Sequence, residues 1–353
     1  MRRSGIVTIR DVARESGYSA STVSIVLNSA PLSRYIPMET KSRIETAAKR
    51  LGYRPNPLAR SLRSQRSNIV GVMVFDITDP FCTPILRGLE NALYQASYLS
   101  LLADAHNESQ RFERYLEMLL DRRVEGLIVI ANWLVTDIKL LADLTERQVP
   151  TVVTGREFEL EKVSTVSVDN EGGAGLALEH LYQLGHREIA FLRGPKALTS
   201  SGQRWKGIRS FAQSAGLTLD PKRIEELPES LDANSSFEAG AHLTGELLRR
   251  GKPFTALMAY DDVTALGAMR ALKKKGLRVP EDCSVMGFDD VAQANLSVPS
   301  LTTVRQPMEA MGAMSAGIVL DAIKMTNQNR DIPIVRRKIP AELAVRESTC
   351  AVK

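Results

Sequence analysis

The chain predicts an α+α/β protein: a small three-helix N-terminal domain, a short linker, and a larger α/β part built from two similar halves. Three observations predict it. Lys and Arg supply 13 of the first 68 residues and Asp and Glu only four, a balance of +9, while the other 285 carry −4 of the whole-chain +5. In the same front segment, apolar residues recur at helical spacing between glycine turns. Beyond residue 68, short branched apolar runs alternate with amphipathic stretches.

A chain of 353 residues exceeds one ordinary core. Aromatics are only 5%, which argues for a Leu/Val/Ile/Ala core and against stacking platforms for single strands. No apolar run reaches the roughly 18 residues of a membrane span. The opening residues are basic but lack the apolar core of a secretory leader. Three widely spaced cysteines, Cys82, Cys283 and Cys350, suit reduced thiols and leave no disulfide frame. No metal and no cofactor are expected, and the expected location is the cytoplasm, associated with the nucleoid.

In the front domain, Thr8 can N-cap a first helix over 9–16 that presents Ile9, Val12 and Ala13 on one face and closes at Gly17. After Gly17-Tyr18-Ser19, a second helix over 20–28 presents Val23, Val26 and Leu27. Ala13, Gly17 and Val23 are the residue types a helix-turn-helix needs where its helices touch, turn and lock. A third helix over 38–51 ends at Gly52. Any three-helix bundle can show this spacing; the charge and the segment that follows favour a nucleic-acid binder. That segment, YRPNPLARSLRSQRS over 53–67, places Arg60, Arg63 and Arg66 three apart and Leu58 and Leu62 four apart. Two readings stand: a short helix that orders only on DNA and wedges a leucine into the minor groove, or a solvated linker.

The runs over 69–75, 99–105, 126–131, 151–155, 188–194, 255–260 and 284–288 predict buried parallel strands joined by crossover helices. A faint repeat sets Arg87-Gly88 against Lys206-Gly207, each on the helix that follows a strand and polar loop. Two such halves imply a cleft between them, with the chain crossing near 157–166, 289–301 and 326–340. Candidate cleft residues past strand ends are Asp76, Phe81, Arg204, Asp261, Asp289 and Gln306. Asp76 serves either the cleft or only its own loop. Asp262 and Asp290 read as helix-capping or turn residues. His186 reads as structural, since no nucleophile or metal spacing accompanies it. Gly172-Gly173 lacks the Lys-Ser/Thr of a phosphate loop, and Cys82 reads as a small filler.

TIRDVARESGYSASTVSIVLN, LGYRPNPLARSLRSQRS, LGHREIAFLRGP, ALMAYDDVTALGAMRALKKKGLRVPEDCSVMGFDD and PSLTTVRQP occur in that order. On these motifs the whole chain resembles the LacI/GalR family of bacterial transcription regulators. The resemblance implies a type I periplasmic-binding-protein-like effector domain behind the DNA-binding domain. It places Ala20, Ser21 and Ile25 at base-reading positions, Thr22, Ser24 and Asn28 at phosphate-contacting positions, and Leu62 at the intercalating hinge leucine. Asn56 and Ala59 fall at supporting hinge positions; Thr8 and Arg63 join the DNA-binding set. Arg204 falls at the effector-clamping arginine, Asp261 and Asp289 at hydroxyl-binding positions, and Gln306 at a cleft-lining one.

Two departures bear on operator choice. Ile25 stands where the family commonly carries a polar reader, and it can meet only a thymine methyl. The loop over 29–39 is about three residues longer than the family spacing, so Arg34 or Tyr35 is a candidate to meet DNA in its place. In the cleft, Gly155 replaces an aspartate the family often has. The expected domains are 1–56 (DNA binding), 57–67 (hinge helix or linker), 68–345 (effector binding and dimerisation) and 346–353 (tail). The expected function is a sequence-specific repressor: a homodimer on near-palindromic duplex operator DNA, controlled by a small effector, a sugar or sugar derivative. No leucine-heptad segment of a tetramerising kind follows PAELAVREST. A transporter-linked solute binder would lack the basic front, and an enzyme would need an acid, base or nucleophile set that these residues do not form.

Overall fold

The computed structural model describes residues 7–28, 30–53, 66–131, 149–157, 163–230 and 235–352. They fall into two units, Met1–Ser67 and Asn68–Lys353. In the first, α1 (Ile9–Ser16), α2 (Ala20–Leu27) and α3 (Met38–Leu51) enclose Val12, Val23, Val26, Ile44, Ala47 and Ala48. Thr8 opens α1, its backbone N–H and hydroxyl donating to Asp11 Oδ2 at 2.9 and 2.6 Å. Gly17 closes it at φ 77°, a left-handed conformation that costs a side chain. The long loop between α2 and α3 is partly ordered as a 3₁₀ turn, Pro31–Tyr35.

The second unit holds two six-stranded sheets. Its chain runs β1 (Ile69–Val74), α4 (Cys82–Gln95), β2 (Leu99–Asp104), α5 (Ser109–Asp121), β3 (Gly126–Ile130), β4 (Thr151–Thr154) and β5 (Ser164–Val168) in the first half. The second half takes α6 (Asn170–Gln183), β6 (Ile189–Arg193), α7 (Thr199–Ser214), β7 (Ile224–Glu226), α8 (Ser235–Arg249) and β8 (Ala256–Ala259). It continues through α9 (Asp262–Lys274), β9 (Ser284–Asp289), α10 (Ala292–Leu296) and β10 (Thr302–Arg305). The chain then returns through α11 (Met308–Thr326) and β11 (Arg336–Ile339), and ends with β12 (Glu342–Ala344).

The first sheet, ordered β11-β5-β4-β3-β1-β2, is parallel throughout; the second, β12-β10-β9-β8-β6-β7, is parallel except for β12. Alternation along β1 explains its unbroken apolar run: Val72 and Val74 enter one core, Met73 and Phe75 the core on the opposite face.

Two expectations are corrected. The crossings lie at 168–170, 305–308 and 339–342, later than read from sequence, because Ser164–Val168, Thr302–Arg305 and Arg336–Ile339 are strands of polar composition. Nor do the described residues of the expected tail, 346–352, stand apart from the second half. Ser348 Oγ donates to Val285 O at 2.6 Å and accepts from Thr302 N at 2.8 Å, while Val352 N donates to Leu184 O at 2.9 Å. Backbone polar groups at the sheet margin bind this segment into the second half.

Candidate nucleic-acid interface and ligand cleft

The face of α2 that does not enter the core is set by its own register. Val23 and Val26 are buried, so Ser21, Ile25 and Asn28, spaced by four and three, form the opposite stripe. Ala20 and Ser21 are exposed and Ile25 half-buried. Ser19 caps the helix, accepting from Thr22 N at 3.1 Å and bonding the Thr22 hydroxyl at 2.8 Å. Asn28 Nδ2 donates to Ser24 O at 2.8 Å, which aligns the last turn. Thr22 and Ser24 therefore flank the stripe, and their bonds to Ser19 and Asn28 brace its two ends. Arg34 is exposed, its guanidinium 4.6 Å over the Tyr35 ring, and Leu32, Tyr35 and Met38 are exposed beside it. Asn56, Ala59, Leu62 and Arg63, with most of the hinge segment, lie outside the described residues.

The cleft lies where the two halves meet. Arg204, on α7 and 5% exposed, donates from Nε to Asn170 Oδ1 at 2.9 Å, from Nη1 to Tyr260 O, and from Nη2 to Asp289 Oδ1 at 3.1 Å. Its plane lies 3.6 Å from the Phe288 ring centre. Gln306 Nε2 also donates to Asp289 Oδ1. Arg204, Asp289 and Gln306, expected from sequence, are thus brought together. Asp289 has φ 121°, a region costly for a residue with a Cβ, and such strain concentrates at functional sites.

Asp261 is the N-cap of α9, accepting from Thr264 N at 2.7 Å, and it is buried near this cluster. The sequence reading gave the capping role to Asp262. Instead Asp262 sits in the first turn, fully buried, where Oδ2 accepts from Val291 N at 2.9 Å and Oδ1 from the Thr303 hydroxyl. Asp290 at φ 62° is the expected turn residue and also pairs with Arg305 at 2.6 Å and with Arg346.

Asp289 and Asp261 lie near the Arg204 guanidinium, and Asp262 is buried beside both, so not all three can ionise cheaply. Burial raises Asp289 to about 6 despite the lowering effect of Arg204. Burial also raises Asp261, and burial with the neighbouring Asp289 charge raises Asp262 well above the carboxylate range. Tyr260, its hydroxyl 2.7 Å from Ser200 Oγ, is pushed up to about 12 by burial.

Asp76 serves its own loop, accepting from Thr78 N at 2.8 Å and the Thr78 hydroxyl at 2.6 Å. Phe81 is 1% exposed and packs in the first-half core. His186 bonds Thr255 Oγ1 at 2.8 Å and Ser284 Oγ at 3.1 Å, away from Arg204, in keeping with a structural role.

Sequence reasoning missed the groups that line the crevice: Arg156, Glu157, Asn170, Ser200 and Gln203, beside Gly155. Glu157, two residues beyond Gly155, accepts from Gln203 Nε2 across the crevice at 3.2 Å and pairs with Lys338 at 3.2 Å. Asn170 Nδ2 donates to Gln203 Oε1 at 3.1 Å. Asn170 lies just past β5 and would have been flagged had that Ser/Thr-rich strand been read. The space among these side chains is about 10 Å³, room for about one water. Among the described residues, no His, Cys, Asp and Glu group could hold a metal, and no helix is long and apolar enough to cross a membrane.

Residues 8–56 match the model of the bacterial regulatory proteins, lacI family, and residues 178–349 match a periplasmic binding protein-like domain. The HTH-type transcriptional repressor CytR of Escherichia coli (strain K12) is 31% identical over 346 residues, covering 98% of this chain and 97% of the relative. The lac repressor dimer bound to operator and the anti-inducer ONPF superposes with a TM-score of 0.82 at 27% identity, covering 98% of this chain and 100% of that one. The complex of the transcriptional regulator CelR with cellobiose gives 0.71 at 31% identity, over 97% and 99% of the two chains. With a relative matched nearly end to end and the family model matched over residues 8–56, the chain belongs to the lacI family of bacterial regulatory proteins, DNA-binding transcription regulators.

Proposed function

We propose that this chain is a repressor whose homodimer grips a near-palindromic operator in duplex DNA and whose grip is set by a small effector of the carbohydrate class. In this reading residues 1–56 read DNA, 57–67 act as the hinge, and 68–345 bind effector and dimerise. Ala20, Ser21 and Ile25 meet base edges; Thr8, Thr22, Ser24, Asn28 and Arg34 meet the backbone. Asn56, Ala59, Leu62 and Arg63 belong to the hinge contact with the minor groove. A single recognition helix reads only a half-site, so two protomers are needed. Leu296 and Val298, 77% and 94% exposed, and Tyr94 and Leu99, 78% and 62% exposed, offer apolar surface for the second copy. The solved lac repressor relative is such a dimer on operator. A duplex-bound repressor acts on the nucleoid, in the cytoplasm.

The observation that carries the effector reading is the buried Arg204 fork with Asp289 and Gln306, backed by Asp261. A guanidinium and carboxylates already held in place can donate to and accept from several ring hydroxyls. The cellobiose-bound relative supports that class. Sugar-sized sites need several hundred cubic ångströms. Entry must therefore part Glu157 from Gln203, and this couples ligand to the spacing of the halves.

The test is selection of bound duplexes from random DNA with the full chain. Anisotropy titration of the selected duplex against mono- and disaccharides then follows. Expected are a two-fold-symmetric consensus and a sugar that shifts operator affinity at least tenfold. Equal binding to all duplexes, or an affinity that no sugar changes, would refute the proposal.

A further inference from the structure

Asn170 opens α6 where the chain leaves β5 for the second half, and it is 4% exposed. Its side chain bonds at both ends. Oδ1 accepts from Arg204 Nε at 2.9 Å, and Nδ2 donates to Gln203 Oε1 at 3.1 Å. Gln203 Nε2 then donates to Glu157 Oε2 at 3.2 Å. Glu157 belongs to the first half, where its other oxygen accepts from Lys338 Nζ of β11 at 3.2 Å and from Ser167 Oγ of β5 at 3.4 Å. A continuous line of hydrogen bonds therefore runs from the buried guanidinium beside Asp289 to the first sheet.

The line has a fixed direction. A guanidinium only donates and a carboxylate only accepts. Between them each amide must turn its oxygen toward Arg204 and its nitrogen toward Glu157; turning one round sets two donors or two acceptors face to face. In such a chain each bond polarises the next, so a change at one end is felt at the other. The two ends are held in different sheets. Arg204 donates to Tyr260 O after β8 and to Asp289 at the end of β9, whereas Glu157 is held by β11 and β5. The Lys206–Glu171 ion pair at 2.9 Å joins α7 to α6 as well, but it lies outside the line and within the second half.

We infer that Asn170 and Gln203 are positioning residues, an amide relay that ties the spacing of the two halves to the hydrogen bonding of Arg204. The inference rests on the effector reading above and adds the residues that carry the signal out of the cleft. An occupant whose oxygen takes the Arg204 Nε–H in place of Asn170 breaks the line at its origin. The halves then lose support for the bond that joins them across the crevice.

The test uses the full chain, without sugar, and the duplex that the wild-type chain selects from random DNA. Two isosteric changes each keep one bond of the relay and reverse the next. Gln203→Glu still accepts from Asn170 but sets a second carboxylate against Glu157. Asn170→Asp still accepts from Arg204 but sets an oxygen where Gln203 Oε1 needs a donor. Both should shift duplex affinity in the same direction by about threefold or more in anisotropy titration, the low end of coupling between bonded neighbours. Gln203→Glu/Glu157→Gln moves the donor to the other side of the crevice and leaves an oxygen at position 157 for Lys338. It should bring affinity back to within about threefold of the wild type, a recovery that mere loss of packing would not allow. Lys206→Gln, which breaks the neighbouring ion pair only, should stay within the same range. Gln203 is half-buried, so its variant and the rescue decide alone if the buried Asn170→Asp does not fold. The inference is overturned if Gln203→Glu binds as the wild type does, if a folded Asn170→Asp shows no shift or the opposite one, or if the double variant stays with Gln203→Glu. It is overturned equally if Lys206→Gln shifts affinity as much as the relay variants. Should the wild-type chain select no duplex, or no sugar alter its grip, the effector reading itself fails, a result distinct from a responsive wild type with silent relay variants.

Discussion

Arg204 donates to three protein partners at once, so replacing it disturbs several buried groups together. Arg204→Met strands the Asp289 carboxyl in a low-dielectric site and should destabilise the second unit by about 3–5 kcal/mol in urea unfolding. Sugar-induced change in operator affinity should vanish in the same variant. Asp289 and His186 should show opposite pH signatures. Asp289, raised by burial to about 6, binds more protons folded than unfolded; its contribution is present below the normal carboxylate range and lost as pH rises through about 6. His186, lowered by burial, contributes above about 6.5, and that contribution is lost as pH falls through its depressed value. Between pH 5 and 6.5, Asp289→Asn should steepen the rise of the urea midpoint with pH, whereas His186→Gln should reverse or flatten it. Parallel pH profiles for both variants would contradict these assignments.

The faint repeat in the sequence has an explanation among the elements. A Cβ on Gly88 in α4 would overlap the Glu309 carbonyl of α11, and one on Gly312 of α11 would overlap the Ile85 carbonyl of α4. Gly207 on α7 stands in the same relation to the Glu171 carbonyl of α6. Arg87-Gly88 and Lys206-Gly207 thus mark two helix pairs whose backbones nearly touch. Gly312→Ala or Gly207→Ala should force the pair apart, costing roughly 1–3 kcal/mol or more by denaturant unfolding. Gly202→Ala, on the same α7 with open space around it, should be close to neutral. Strands at this scale were legible where both faces are apolar, as in β1 and β3. They were not legible where Ser, Thr and Arg fill them, as in β5, β10 and β11, because the sheet margin and the crossings satisfy those side chains locally. Polar composition in those three strands is what shifts every crossing from its expected place.

For the whole molecule, the testable consequences concern assembly and linkage. Val298→Asp would place a charge on a 94% exposed apolar position and should halve the mass seen in sedimentation, with loss of operator affinity. A molecule that is monomeric before the change would contradict the dimer. A bound effector should raise the unfolding free energy of the chain by about 2.7 kcal/mol at a hundredfold excess over its Kd, read by thermal shift. A sugar that shifts stability but not operator affinity would break the link between cleft and DNA.

The order of amino acids alone determined which residues cap and turn the front helices, which face of α2 is left outward, and that two α/β halves follow. Those features rest on contacts between near neighbours, on helical and strand periods, and on charge, all of which are local. Tertiary structure decided what the cleft is made of. Glu157, Asn170 and Gln203 converge from separate elements, Asp261 takes the capping role expected of Asp262, and the last residues close the second sheet. Each of these depends on groups far apart in the chain being desolvated together, and no local period records which distant partner a buried polar atom will find.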